Sequence, residues 1–183
     1  EKAVQKNLRD KDVFRMLGLS YAHLSNCIEA TKALSASVSM GINDKDVFHH
    51  LGICQYKNKE YAAAIESLGR AVAAGVNSQD AFLYKGNAEF IQKDFENSMK
   101  DLERAVSLGA NDAEAFKNLG DLKFMKNDFA GAIKNYDNAV SLGVNDAILF
   151  NNRGKAKFDS NDIAGSVSDY DKAIQLNSSY GKA

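Results

Sequence analysis

The chain has 183 residues, 45% apolar and 26% charged, with a net charge of −1. A field that weak does not recruit nucleic acid or an anionic membrane surface. No apolar run approaches the ~20 residues that a membrane-spanning helix needs.

Read in order, the chain repeats itself. Phe14, Phe48, Phe82, Phe116 and Phe150 stand 34 residues apart, and so do Gly18, Gly52, Gly86, Gly120 and Gly154. A fixed period of this length is the signature of a stacked array of small helical or strand units. On this ruler the first ten residues, EKAVQKNLRD, align with the closing turns of later units: Ala3-Val4 fall on Ala71-Val72 and Ala105-Val106. Residues 1–10 therefore read as the end of a preceding unit. Five full units follow without insertions, at 11–44, 45–78, 79–112, 113–146 and 147–180. After Tyr180, the residues Gly181, Lys182 and Ala183 read as the opening of a sixth. Both ends look cut, so the chain is expected to be a fragment of a longer protein, with 1–183 as a single solenoid domain.

Each unit carries two apolar patterns of helical period. In the fourth unit Phe116, Leu119 and Leu122 mark one helix face, and Phe129, Ala132, Ile133, Tyr136, Ala139 and Val140 mark the next. Spacings of three and four place each set on one side of a helix. The chain has no proline to interrupt these helices. Gly41, Gly75, Gly109 and Gly143 follow the last apolar residue of the second helices, each with an apolar residue next. That pair predicts a Schellman ending. Asp44, Ser78, Asp112 and Asp146 then supply oxygen acceptors for the following helix start, as do Asp94, Asp128 and Asp162 within units. Gly52, Gly86 and Gly120 are expected to face the small residues Ala64, Ser98 and Ala132, allowing close approach, while the Phe rings fill the space between pairs. Lys85 and Arg153 replace the Leu of Leu17, Leu51 and Leu119. Their stems are expected to cover apolar surface while the charges reach water.

No catalytic or metal motif emerges. His49 and His50 are adjacent and point about 100° apart on a helix; His23 is the third histidine. Nothing matches a phosphate loop, a zinc-protease helix or a nucleophile elbow. Aspartates and glutamates fall where caps and solvated helix faces put them. The expectation is a non-enzyme without cofactor or metal. Cys27 and Cys54 lack metal spacing and sit in columns otherwise apolar or small, so they read as buried free thiols. Free thiols favour a reducing, cytoplasmic setting.

The 34-residue period, the Leu-Gly pairs at 17–18, 51–52 and 119–120, the small residue at Ala30, Ala64 and Ala132, and the late alanine at Ala71, Ala105, Ala139 and Ala173 together resemble the tetratricopeptide repeat. The resemblance runs over practically the whole chain. Phenylalanine stands where the family usually has tryptophan, and Ile42, Val76, Ala110, Val144 and Ser178 stand where it usually has proline. It implies an all-α, right-handed superhelical solenoid of antiparallel helix pairs, with the first helices lining a concave groove.

It also implies a protein–protein interaction scaffold that takes a peptide or partner helix in that groove, with no chemistry of its own. The contact columns it selects hold Arg15, His49, Leu83, Lys117 and Asn151, then His50, Tyr84, Asn118 and Asn152, then Asn87, Asp121 and Lys155. Asn118 and Asn152 recur where the repeats of O-linked N-acetylglucosamine transferase carry an asparagine ladder for peptide backbone. An amide both donates and accepts, so it can serve a peptide unit of any sequence. The basic pair with which co-chaperone members hold a C-terminal carboxylate is missing from every three-unit window. Two alternatives stand beside this one. The chain could be a structural spacer that self-associates through apolar ends at Ile163, Val167 and Tyr170, or the regulatory arm of an enzyme whose catalytic domain lies elsewhere.

Overall fold

The computed structural model describes residues 10–177, so the expectations for residues 1–9 and 178–183 lie outside the described residues. Among the described residues ten α-helices follow one another: α1 Lys11–His23, α2 Cys27–Ser39, α3 Lys45–Lys57, α4 Tyr61–Ala73, α5 Gln79–Ile91, α6 Phe95–Ser107, α7 Ala113–Met125, α8 Phe129–Ser141, α9 Ala147–Asp159 and α10 Ile163–Leu176. Consecutive odd-numbered helices start 34 residues apart, at the boundaries the period sets. The chain divides into two compact units, one ending at Ala110 and one beginning at Asn111. The first holds three helix pairs and the second holds two.

Capping explains these boundaries. Asp44 Oδ1 accepts from the backbone N–H of Asp46 at 2.8 Å, Asp112 from Ala115 at 2.8 Å, and Asp146 from Leu149 at 2.7 Å. Ser78 Oγ accepts from Ala81 N–H. At the other end of the pair Gly41, Gly75, Gly109 and Gly143 have φ between 93° and 99°. Ile42 N–H reaches Ser37 O and Gly41 N–H reaches Val38 O, the two bonds of a Schellman ending. The first helices end the same way without glycine. Ser25, Lys59, Lys93, Asn127 and Asn161 take φ of 58–66° there, a left-handed conformation that costs a side-chain-bearing residue about 1–3 kcal/mol.

Within each pair the glycine of the first helix meets a large side chain sixteen residues on, and not chiefly the small residue expected. A Cβ on Gly18, Gly52 or Gly86 would lie 2.5–2.8 Å from Leu34, Leu68 or Leu102, and one on Gly120 would lie 2.5 Å from the ring of Tyr136. The small residue helps once: Ser98 Oγ donates to Gly86 O at 2.8 Å. The leucine or tyrosine seated over the glycine is fully buried in each of these four pairs. Within each unit, neighbouring pairs then pack together. In the first unit Leu34, Val47 and Leu51 form one cluster, edged by Leu19, Val38 and Ile42. Phe48, Phe116 and Phe150 are buried, and the Arg70 guanidinium stacks 3.8 Å from the Phe48 ring.

Lys85 and Arg153 do not send their charges to water, contrary to expectation. Lys85 Nζ is bonded to both Glu89 and Asp101, and its side chain is only 18% exposed. Arg153 forks onto Asp169 and also reaches Asp137 at 2.7 Å; Lys157 joins Asp169 at 2.8 Å. Glu89 and Asp169 are therefore buried carboxylates, where capping or solvation had been expected for acidic residues. The partner lies sixteen residues from the cation in each case. Where the first-helix residue is Leu17, Leu51 or Leu119, position +16 is the uncharged Ala33, Ser67 or Asn135. Two aspartates thus appear where two cations do, because a buried charge needs a counter-charge in reach.

Two predictions follow from this packing. Gly52→Ala should lower stability by about 1–3 kcal/mol, because the new methyl meets both the Leu68 side chain and its backbone nitrogen. Gly69→Ala, whose Cβ meets only Lys85 Cε at 3.8 Å, should be neutral or gain up to about 1 kcal/mol in a urea titration. The second concerns Glu89, whose carboxyl burial pushes up from 4.5 to about 7; Lys85 opposes the shift and Asp101 adds to it. Between those values the folded chain holds a proton that the unfolded chain has lost, so this group makes stability fall as pH rises from about 4.5 to 7. Glu89→Gln should flatten that slope in melts recorded across the interval. Gln55, one unit earlier in the same column, is buried there already.

Candidate protein-binding face

The sequence-selected positions lie on the first helices of the pairs, and the structure sorts them into distinct environments. Arg15, His49 and Lys117 share a column, and each turns to the residue that caps the next first helix. Arg15 approaches Asp44 at 3.8 Å, His49 Nε2 stands 3.3 Å from Ser78 Oγ, and Lys117 approaches Asp146 at 3.4 Å. The spacing is twenty-nine residues in all three. These side chains tether the turn that joins one pair to the next. Arg15, Lys117 and their aspartates are about a third exposed, so each ion pair is worth no more than about 1 kcal/mol. Leu83, the apolar member of the column, is buried.

Asn87 and Asn118 are also buried, at 3% and 6% exposure, although the family pattern puts both among open contact positions. Asn152 is half-buried. Its side-chain amide donates to Asp121 Oδ1 at 3.0 Å, and the same oxygen accepts from Tyr136 Oη at 2.7 Å. Burial, followed by the Asp121 charge, holds the Tyr136 hydroxyl protonated far above neutral pH. Asp121 is thus the acceptor for a fully buried phenol. Lys155 is exposed and lies 5.3 Å from the Phe124 ring centroid.

The first unit presents a different surface. All three histidines gather in it, with the His23 and His50 rings 5.1 Å apart and those of His49 and His50 5.3 Å apart. The separation of His23 from the pair in sequence gave no hint of this. Burial lowers the pKa of both His49 and His50, and for His50 the other two histidines lower it further, so both are neutral at pH 7. Tyr84 stands beside Tyr56 at 5.2 Å and beneath Lys57 Nζ at 5.9 Å. Met16 and Ile91 extend this face as exposed apolar side chains. The first unit therefore offers rings and thioether, and the second offers amides and charge.

Among the described residues no three His, Cys, Asp or Glu side chains converge to hold a metal. No described helix is long and apolar enough to cross a membrane. The thiols depart in part from expectation: Cys54 is buried but Cys27 is partly exposed.

Comparison with known proteins agrees with this architecture. The family model described as tetratricopeptide repeat matches residues 51–115. No curated protein matches the sequence. Among solved structures, the MamA D159K mutant superposes with a TM-score of 0.78 at 19% identity, covering 94% of this chain and 99% of that one. A second MamA structure gives 0.70 at 20% identity, covering 94% of each chain. YrrB, described as a TPR protein with an unusual peptide-binding site, gives 0.73 at 19% identity, over 96% of this chain and 91% of that one.

Asp121→Ala should cost about 1–3 kcal/mol by leaving the buried Tyr136 hydroxyl without its acceptor. Lys117→Ala should change the unfolding free energy from a urea titration by no more than about 1 kcal/mol. Equal losses would mean that the two polar groups are held alike, against the geometry. With its 34-residue units and helix pairs the chain has the all-α fold of a tetratricopeptide-repeat-like solenoid, and residues 51–115 match the model of that repeat.

Proposed function

We propose that the chain is a non-catalytic protein-interaction module, and that the inner face of its first helices receives an extended peptide or a partner helix. The observation that carries this reading is the face formed by His50, Tyr84, Met16 and Ile91. These side chains are not consumed by packing within the pairs, yet they combine apolar surface with ring nitrogens and a phenol. Aromatic and methionine side chains are enriched at protein interfaces because they bury much area and still hydrogen-bond. The second unit, taken by itself, presents the exposed Lys155 on its own first helix. Arg15 and His49 serve chiefly to hold this face in place, while Lys117 and Asp121 play the same part within the second unit.

The test is a peptide-display selection on the intact chain, followed by affinity measurements on the enriched peptides. His50→Ala and Tyr84→Ala should each weaken binding about tenfold or more, with the helical circular dichroism unchanged. Peptides that bind both variants as tightly as the parent would overturn the assignment.

A second reading rests on the last pair. Ile163, Val167 and Ile174 on α10 are 48%, 53% and 42% exposed, an apolar surface that a second copy could cover. Association of copies through this surface predicts a larger species in light scattering that Val167→Asp abolishes. A mass independent of concentration would count against it.

A further inference from the structure

The two cysteines lie 27 residues apart in sequence and on different repeats, yet the structure makes them neighbours. Cys27 is the first residue of α2, and Cys54 sits in the last turn of α3. Asn58, which caps α3, holds both: its backbone N–H donates to Cys54 O at 2.9 Å, and its side-chain amide donates to Cys27 O at 3.3 Å and to Thr31 Oγ1 at 3.1 Å. The two thiols stand close enough that Cys27 helps to raise the pKa of Cys54. Elsewhere the column of Cys27 carries Tyr61, Phe95 and Phe129, whose rings pack on Tyr56, Phe90 and Phe124 of their own first helix. In the first repeat the equivalent pair is Ala22 and Cys27, with no ring to fill the space.

The thiols differ in access. Cys54 is 2% exposed, whereas Cys27 is partly exposed. An open cleft of about 460 Å³ begins at Ile28, the residue after Cys27, and is lined also by Thr31, Asn58 and three lysines, Lys32, Lys57 and Lys59, with Glu60 the one acid in its wall. Lys32 is paired with Glu29 at 2.7 Å, which leaves Lys57 and Lys59 to face an incoming anion.

We propose that Cys27 and Cys54 are a thiol–disulfide modification site, closed by an anionic low-molecular-weight disulfide of the glutathione type. The Cys27 thiolate attacks one sulfur of that disulfide, forming a mixed disulfide and releasing one thiolate. The Cys54 sulfur, having lost its proton, then attacks the Cys27 sulfur and expels the second thiol. The protein loses two protons and two electrons, and one small disulfide takes them up to become two thiols. Burial and the neighbouring Cys27 push the Cys54 thiol up to about 12, so the second step is the slow one. The product joins α2 to α3 across the seam filled by Leu34, Val47 and Leu51, and it stabilises that seam by restricting the unfolded chain.

The experiment incubates the intact folded chain with oxidised glutathione at pH 8 and follows intact mass, a peptide map and the melting temperature. The expected product is two hydrogens lighter, maps to a Cys27–Cys54 link, melts higher than the reduced chain and reverts with dithiothreitol. Cys54→Ala, which installs the residue found at Ala88 and Ala156 in the same column, should stop at the glutathione adduct on Cys27. A parent chain that keeps both thiols free, that ends as the adduct, or that links only between copies would overturn the proposal.

Discussion

The structure depends on one close approach, repeated five times. A glycine in the middle of each first helix lets a large side chain from the second helix sit against bare backbone. In the first four pairs that side chain is Leu34, Leu68, Leu102 or Tyr136, fully buried. Space measured in tenths of an ångström is at stake, since close-packed interiors do not absorb an added methyl without displacement. Once the pair has closed, its outer surfaces are set, and Val47 and Leu51 can meet Leu34 of the preceding pair. The caps act at the ends of the same device. They fix where each helix starts and stops, so that every glycine arrives opposite its partner.

The two charged clusters are a variation on that packing. A leucine beside the glycine needs only apolar company, and Ala33, Ser67 and Asn135 are neutral enough to provide it. A lysine or arginine there brings its counter-ions along, as Lys85 does with Glu89 and Asp101, and Arg153 with Asp169. Such clusters add little net stability over a well-packed apolar site. They do restrict which second helix can pair with which first helix, since a lysine set against Ala33 would be buried without a carboxylate. They also bring a pH dependence that an apolar core lacks.

The inner face shows how support and contact divide among neighbouring residues. Arg15, His49 and Lys117 look like contact residues by position, yet each is turned toward a helix cap. Asp121 is occupied by Tyr136 and Asn152.

The period, the element boundaries and the caps were legible in the amino-acid order, because they are local. Asp44 caps α3 from one residue away, and Gly41 ends α2 through bonds that span six residues. The packing columns at Phe116, Gly120 and Ala139 were legible too, since a helical period places them on one face whatever surrounds it. The identity of the contacts across the pair was not. That Gly52 meets Leu68 before Ala64, that Lys85 finds Asp101, and that His23 finds His50 are decided by the rotation and offset of one helix against another. Those depend on how all the side chains in the seam fit together. Residue type and column put Asn118 and Asn152 side by side as amides, and only the tertiary structure separated a buried one from one bound to Asp121. The same holds for the thiols: spacing kept Cys27 and Cys54 apart, and the stacking of one repeat on the next brought them together.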